Sequence, residues 1–135
     1  MHNLDFEKLT TYDSGKPGIT VDVEIQLLDI NVNLTAKIDT GSEACIFARN
    51  LGEELGLEIE SGEPEKFRTV TNSFLTFGHW VTLTVEDFTF DSYVYFAEEE
   101  SFQRNVLGRH GWLDRVIIGI NDYDGKLYLS KYESK

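Results

Sequence analysis

The chain has 135 residues, 41% of them hydrophobic and 13% aromatic, which suits one domain with a buried, β-rich core and argues against disorder. Its formal net charge of −12 repels phosphate backbones and speaks against nucleic-acid binding. Cys45 is the single cysteine, which excludes an internal disulfide and a Cys-rich zinc site and makes a reducing cytoplasm the expected compartment.

No apolar run approaches the ~20 residues that span a bilayer, so no membrane association is expected. Met1–Asp5 has no basic segment leading into an apolar stretch, and a signal peptide is not expected either. Residues 1–18 read as a polar lead-in ending in the turn formers Asp13-Ser14-Gly15-Lys16-Pro17-Gly18. A period of two then begins: Ile19, Val21, Val23, Ile25 and Leu27 are apolar, with Thr20, Asp22, Glu24 and Gln26 between them. After a turn at Asp29-Ile30 the alternation resumes through Val32, Leu34, Ala36 and Ile38, so the two runs predict an antiparallel hairpin.

The second strand runs into Asp39-Thr40-Gly41-Ser42, after which the period changes. Phe47, Leu51 and Leu55 are spaced for a short helix over 47–55, and Gly56 is placed to end it. Residues 58–65 are acidic, contain Gly62 and Pro64, and read as a loop. Phe67–Thr71 and Phe74–Phe77 predict a second hairpin, followed by strands around Val81–Val85, Phe88–Phe90 and Tyr93–Phe96. Glu98–Glu100 read as a solvated loop, and Val106-Leu107-Gly108-Arg109 leads into a short helical segment near Trp112-Leu113. Val116–Ile120 and Leu127–Leu129 predict a last hairpin around Asp122-Tyr123-Asp124-Gly125. The expected architecture is all-β, a closed barrel-like sheet with one or two short helices, in a single domain over 19–135.

An Asp-Thr-Gly followed by Ser or Ala occurs by chance in roughly a few per thousand chains of this length, so its context matters. Here it follows an alternating strand and precedes a short helix, and about 70 residues later a second apolar-apolar-Gly turn enters a helix. On the motifs Ile38-Asp39-Thr40-Gly41-Ser42 and Val106-Leu107-Gly108-Arg109, over about residues 19 to 130, the sequence resembles the retropepsin-like aspartic proteases. The ending Gly125-Lys126-Leu127-Tyr128-Leu129 is similar to that family's final strand.

The resemblance implies an acid-protease fold and an aspartic endopeptidase acting on a peptide or protein substrate without cofactor or metal. Such chemistry needs two carboxylates sharing a proton, one as base toward a water and one as acid toward the carbonyl oxygen. The chain has one such loop, so a homodimer would supply the second Asp39. Thr40 is expected to lock the two loops, Gly41 to permit their approach and Ser42 to donate to the carboxylate. Asp39 as a mere turn residue capping the next helix is the alternative.

The family also suggests a bidentate pair of Arg109 with Glu43, bracing both loops; the alternative is two surface charges. The hairpin Phe67–Phe77 takes the place of the flap, with Thr71, Asn72, Ser73 and Phe74 at its tip, and Phe74 and Val106 as apolar walls of the substrate groove. It has no glycine before Gly78, which keeps open an ordinary hairpin and a catalytically inactive dimerisation or peptide-binding module. An unrelated ligand-binding barrel with a chance motif is the third possibility. His79 and His110 match no metal spacing, Cys45 lacks a base partner, and Trp80 and Trp112 are expected in the core.

Overall fold

A computed structural model describes residues 1–132, so the last three residues of the expected domain lie outside the described ones. In chain order the strands are β1 (Lys8–Thr11), β2 (Thr20–Leu27), β3 (Ile30–Ile38), β4 (Ile46–Phe47), β5 (Glu63–Arg68), β6 (Ser73–Val85), β7 (Phe88–Ala97), β8 (Val106–Leu107), β9 (Val116–Asn121) and β10 (Lys126–Lys131). One helix, α1 (Arg49–Glu54), follows β4, and single 3-10 turns lie at Ile59–Ser61 and Leu113–Arg115.

The alternating segments pair as their pattern requires. β2 and β3 are antiparallel, with Val23 opposite Leu34 and Ile25 opposite Val32. Val21, Val23 and Ile25 are buried while Asp22 is exposed, because successive side chains leave a strand on opposite faces. The turn falls one residue earlier than expected, at Leu28-Asp29, and Leu28 takes a φ of 54° to make it.

The main sheet runs β2-β3-β8-β4-β7-β6-β5, and β2 also pairs with β6. That extra pairing, Val23 with Val85 through Gln26 with Thr82, returns the sheet on itself. Six strands therefore close into the expected barrel, and β5 remains outside as the free arm of a hairpin with β6. Closure removes most edges that would otherwise pair with other chains. A second sheet, β1-β10-β9, joins the first strand of the chain to the last two. Ile25, Phe47, Leu83, Phe96, Leu107, Trp112, Leu127 and Leu129 are fully buried in one core. Removing any one to alanine would cost about 2–5 kcal/mol.

Helix α1 lies on this core through Gly52, where a Cβ would come within 2.6 Å of Ile59 Cδ1 and 2.8 Å of the Phe96 ring. Gly56 ends it at a φ of +85°, and the Leu57 amide donates to the Gly52 carbonyl at 3.1 Å. Arg49 ties the helix to the next turn by two hydrogen bonds to Glu60, 2.5 and 2.7 Å long. No helix among the described residues is long and apolar enough to cross a membrane.

Several readings differ from expectation; among them, β6 and β7 each run unbroken where two strands were expected. The polar lead-in contains β1, whose residues Lys8–Thr11 pair with Leu129–Lys126; main-chain bonds to a distant strand leave no local apolar period. Residues 63–65 belong to β5 rather than a loop. This strand pairs only with β6, its side chains are exposed apart from half-buried Phe67, and Pro64 is tolerated at such an edge. Phe47 lies in β4, paired with Phe96, so the helix starts at Arg49. Trp80 is 63% exposed, whereas Trp112 is fully buried. Trp80 shares strand parity with Thr82 and Thr84, opposite to the core residues Val81, Leu83 and Val85.

This difference is measurable by acrylamide quenching of the two tryptophans. One class of fluorescence should be readily quenched and the other shielded, and Trp80→Phe should remove the quenchable class. Strong quenching of the tryptophan that remains would contradict the burial of Trp112.

Candidate active site

Asp39 sits where β3 leaves the barrel, and its backbone is held from both sides. The Ile38 amide donates to the Ile19 carbonyl at 2.8 Å, and the Asp39 amide donates to the Leu107 carbonyl at 3.0 Å. The chain then turns sharply. The Gly41 amide donates to Asp39 Oδ1 at 2.9 Å, and the Ser42 amide to the Asp39 carbonyl at 3.1 Å. Asp39 is thus a turn-forming residue, yet its other carboxylate oxygen accepts no hydrogen bond among the described residues. Thr40 and Gly41 are exposed on the protomer surface, and Asp39 and Ser42 are half-buried.

The second turn crosses directly beneath the first. β8 lies between β3 and β4, with Leu107 opposite Ile38 and Val106 opposite Ile46. The amides of Arg109 and His110 donate to the carbonyls of Ser42 and Glu43, each at 2.9 Å. Gly108 makes this approach possible: a Cβ there would lie 2.1 Å from the Ala44 carbonyl oxygen. The Leu113 amide closes the following turn onto the Gly108 carbonyl at 3.0 Å.

Two expectations about these loops are corrected. Arg109 and Glu43 form no ion pair among the described residues. Both are exposed, where pairing two hydrated charges gains only ~0–1 kcal/mol, and the main-chain bonds already join the loops. The Ser42 hydroxyl donates to the Ala44 carbonyl at 2.7 Å instead of to Asp39. A short hydroxyl finds the local carbonyl two residues on without any chain rearrangement.

A cavity of about 440 Å³ opens over Asp39 and runs under the β5–β6 hairpin. Asp39, Gly41, Ser42 and Glu43 line one side; Phe74 and Val106 line it too. Val106 joins Ala44 and Ile46 in a small apolar cluster packed by Phe67, Phe74, Tyr95 and Phe102. Thr71, Asn72 and Ser73 stay outside the cavity, exposed at or next to the hairpin tip. The tip is closed by one main-chain bond and two side-chain bonds, without glycine. The Thr69 amide donates to the Asn72 carbonyl at 2.7 Å, the Asn72 amide to Thr69 Oγ1 at 3.1 Å, and the Ser73 amide to Asn72 Oδ1 at 2.8 Å.

Sequence reading missed Phe67, Phe102, Lys66, Arg68 and Arg104 as lining residues. Lys66 and Arg68 alternate with Phe67 on an edge strand, so the charges flank an apolar ring on the strand that roofs the cleft. Cys45 is fully buried, and burial pushes its thiol up to about 12, so it is no nucleophile. The His79 ring contacts the Ile59 carbonyl at 2.8 Å, a structural role. No group of three or more His, Cys, Asp or Glu that could hold a metal occurs among the described residues.

Gly108 is the most constrained position of this site. Gly108→Ala should destabilise the fold by about 3 kcal/mol, since the methyl meets backbone rather than a yielding side chain. Gly41→Ala, where the added Cβ would meet Asp39 Oδ1 at 3.3 Å, should cost far less in the same urea titrations. Equal costs at both positions would contradict the close crossing at Gly108.

No protein-family model and no curated protein matches the sequence. Solved structures do. EIAV protease complexed with an inhibitor is similar at a TM-score of 0.55 and 20% identity, covering 74% of this chain and 88% of that one. A retropepsin-like aspartic protease from Rickettsia conorii is similar at a TM-score of 0.60 and 14% identity, covering 82% and 89%. At these identities the likeness concerns the backbone, and with the closed barrel and the two crossed turns it is conclusive on one point: the chain has the retropepsin-like fold of the aspartic proteases.

Proposed function

We propose that the protein is an aspartic endopeptidase that works as a homodimer, with one Asp39 from each subunit forming the catalytic dyad. The observation that carries this reading is the placement of Asp39. Its carboxylate stands on a rigid turn, bonded through one oxygen only, in the cavity beneath a β-hairpin. Two such carboxylates brought together cannot both ionise, so one stays protonated. The charged one takes a proton from water, and the other donates to the oxygen of the scissile carbonyl.

The stoichiometry demands a partner, because the sequence contains a single Asp-Thr-Gly. Thr40 and Gly41, exposed in the protomer, would meet their counterparts across the two-fold axis. The free edge of the second sheet, β9, presents Ile117 on one face and Ile120 on the other, 39% and 46% exposed; a partner strand added at this edge would cover part of each. The substrate is an extended peptide under the β5–β6 hairpin, with Phe74 and Val106 as apolar walls and Thr71, Asn72 and Ser73 brought down from the tip. A lone buried cysteine suits a reducing cytoplasm.

The glycine-free tip at Thr69–Asn72 favours a second reading, a peptide-binding module of the same fold without catalysis. A fluorogenic peptide library, screened from acidic to neutral pH at several protein concentrations, separates the two. Wild type should cleave, Asp39→Asn should lose at least about a hundredfold in rate, and specific activity should fall on dilution as the dimer dissociates. Equal cleavage by both forms would make Asp39 non-catalytic, and cleavage by neither would favour the binding module.

A further inference from the structure

A second cavity, about 360 Å³, opens beside the Asp39 cleft and shares Glu43 and Phe67 with it. Its wall is the outer face of the β5–β6–β7 sheet. On that face Trp80 stands opposite Tyr93, and Gly78 opposite Tyr95. Gly78 leaves room for the neighbouring ring: a Cβ there would lie 2.4 Å from the Tyr93 hydroxyl. The rings consequently form a continuous line. Centroids are 5.3 Å apart for Trp80–Tyr93, 5.4 Å for Tyr93–Tyr95, and 5.2 Å for Tyr95–Phe67, each pair edge-on. Phe67 then reaches Phe74 in the Asp39 cleft at 6.1 Å. Trp80 heads the line at 63% exposure, although an aromatic this large is normally covered.

The rim is acidic. Glu43, Glu65, Asp91 and Asp114 line the cavity, against two basic groups, His110 and Arg115. Both basic groups are engaged. Arg115 donates to the Asp91 carbonyl at 2.9 Å and lies over the Phe90 ring, and His110 Nδ1 is 3.5 Å from Asp114. Glu43, Glu65 and Asp91 have no ion-pair partner among the described residues. Burial pushes the phenols of Tyr93 and Tyr95 up, helped by Glu63 and Glu65 at Tyr93 and by Tyr93 and then Glu65 at Tyr95, so both rings stay neutral. The Asp39 cleft next door carries the opposite signs as well, with Lys66, Arg68 and Arg104 on its lining.

The geometry points to this side cavity as a specificity subsite for a lysine or arginine side chain of a peptide held in the Asp39 cleft. Ring faces attract a cation through their quadrupole, and unpaired carboxylates at the rim add to that attraction. On the main cleft Lys66, Arg68 and Arg104 outnumber Asp39 and Glu43, so a basic side chain is better accommodated sideways, along the ring line. The inference rests on the Asp39 cleft being a peptide groove, and it selects basic peptides as the substrate class.

The test uses the Asp39→Asn chain, which binds without cleaving. Two probes are titrated by tryptophan fluorescence: acetyl-Ala-Lys-Ala-Lys-Ala-amide, and the same peptide with both lysines acetylated. The charged peptide should bind about tenfold more tightly. Glu65→Gln with Asp91→Asn should abolish the difference, and Trp80→Phe with Tyr93→Phe shows through the reduced signal that the ligand sits at these rings. Asp22→Asn with Glu54→Gln, the same charge change at exposed positions that line neither cavity, should preserve it. Equal binding of the two probes, binding of neither, or a preference that survives Glu65→Gln with Asp91→Asn overturns the proposal. A lysine preference in a wild-type protein that cleaves nothing sustains the subsite and counts against the protease reading alone. Cleavage without that preference does the reverse.

Discussion

Everything at the centre of this molecule depends on how closely two turns can cross. Gly108 lies against the Ala44 carbonyl with no room for a methyl group. That contact allows the amides of Arg109 and His110 to reach the carbonyls of Ser42 and Glu43. The Asp39 turn is thereby held by backbone, from a buried strand pair below, with no dependence on exposed side chains. Main-chain bonds are insensitive to salt and cost no side-chain ordering, which makes them better supports for the Asp39 turn than the ion pair of Arg109 with Glu43 would be.

Barrel closure sets up the rest. The β2–β6 pairing fixes β6 along its inner half, and its outer half continues beyond the barrel with β5 to form the roof of the cleft. The same strand presents two kinds of face. Its inward residues Val81, Leu83 and Val85 belong to the core, and its outward residues Gly78 and Trp80 support the ring line beside the cleft. One element thus couples the stability of the barrel to the walls of both cavities.

The parts legible in the sequence are those where burial imposes a period. The β2–β3 hairpin, the end of α1 at Gly56 and the β9–β10 turn at Gly125 follow from strict alternation or from a glycine at positive φ. The position of Asp39 after a buried strand was legible for the same reason. β1 and the first three residues of β5 were not, because edge strands gain their order from main-chain bonds to a partner strand, and their side chains are exposed or only half-buried. The misplacement of Trp80 has a related origin: aromatic content suggests burial, while parity with Thr82 and Thr84 places the ring outside. Charge types alone could not reveal that Glu43 and Arg109 remain apart, since their backbones are adjacent through the crossing at Gly108.

The central claim is that two Asp39 residues act together at one site. Subunit mixing tests it most directly. Wild type and Asp39→Asn are mixed in varied ratios at fixed total concentration and allowed to exchange. If each active site needs both carboxylates, cleavage falls with the square of the wild-type fraction, to about a quarter at equal mixing. A linear fall, with half the activity left at equal mixing, would mean that each chain works with its own Asp39 and would contradict the shared dyad.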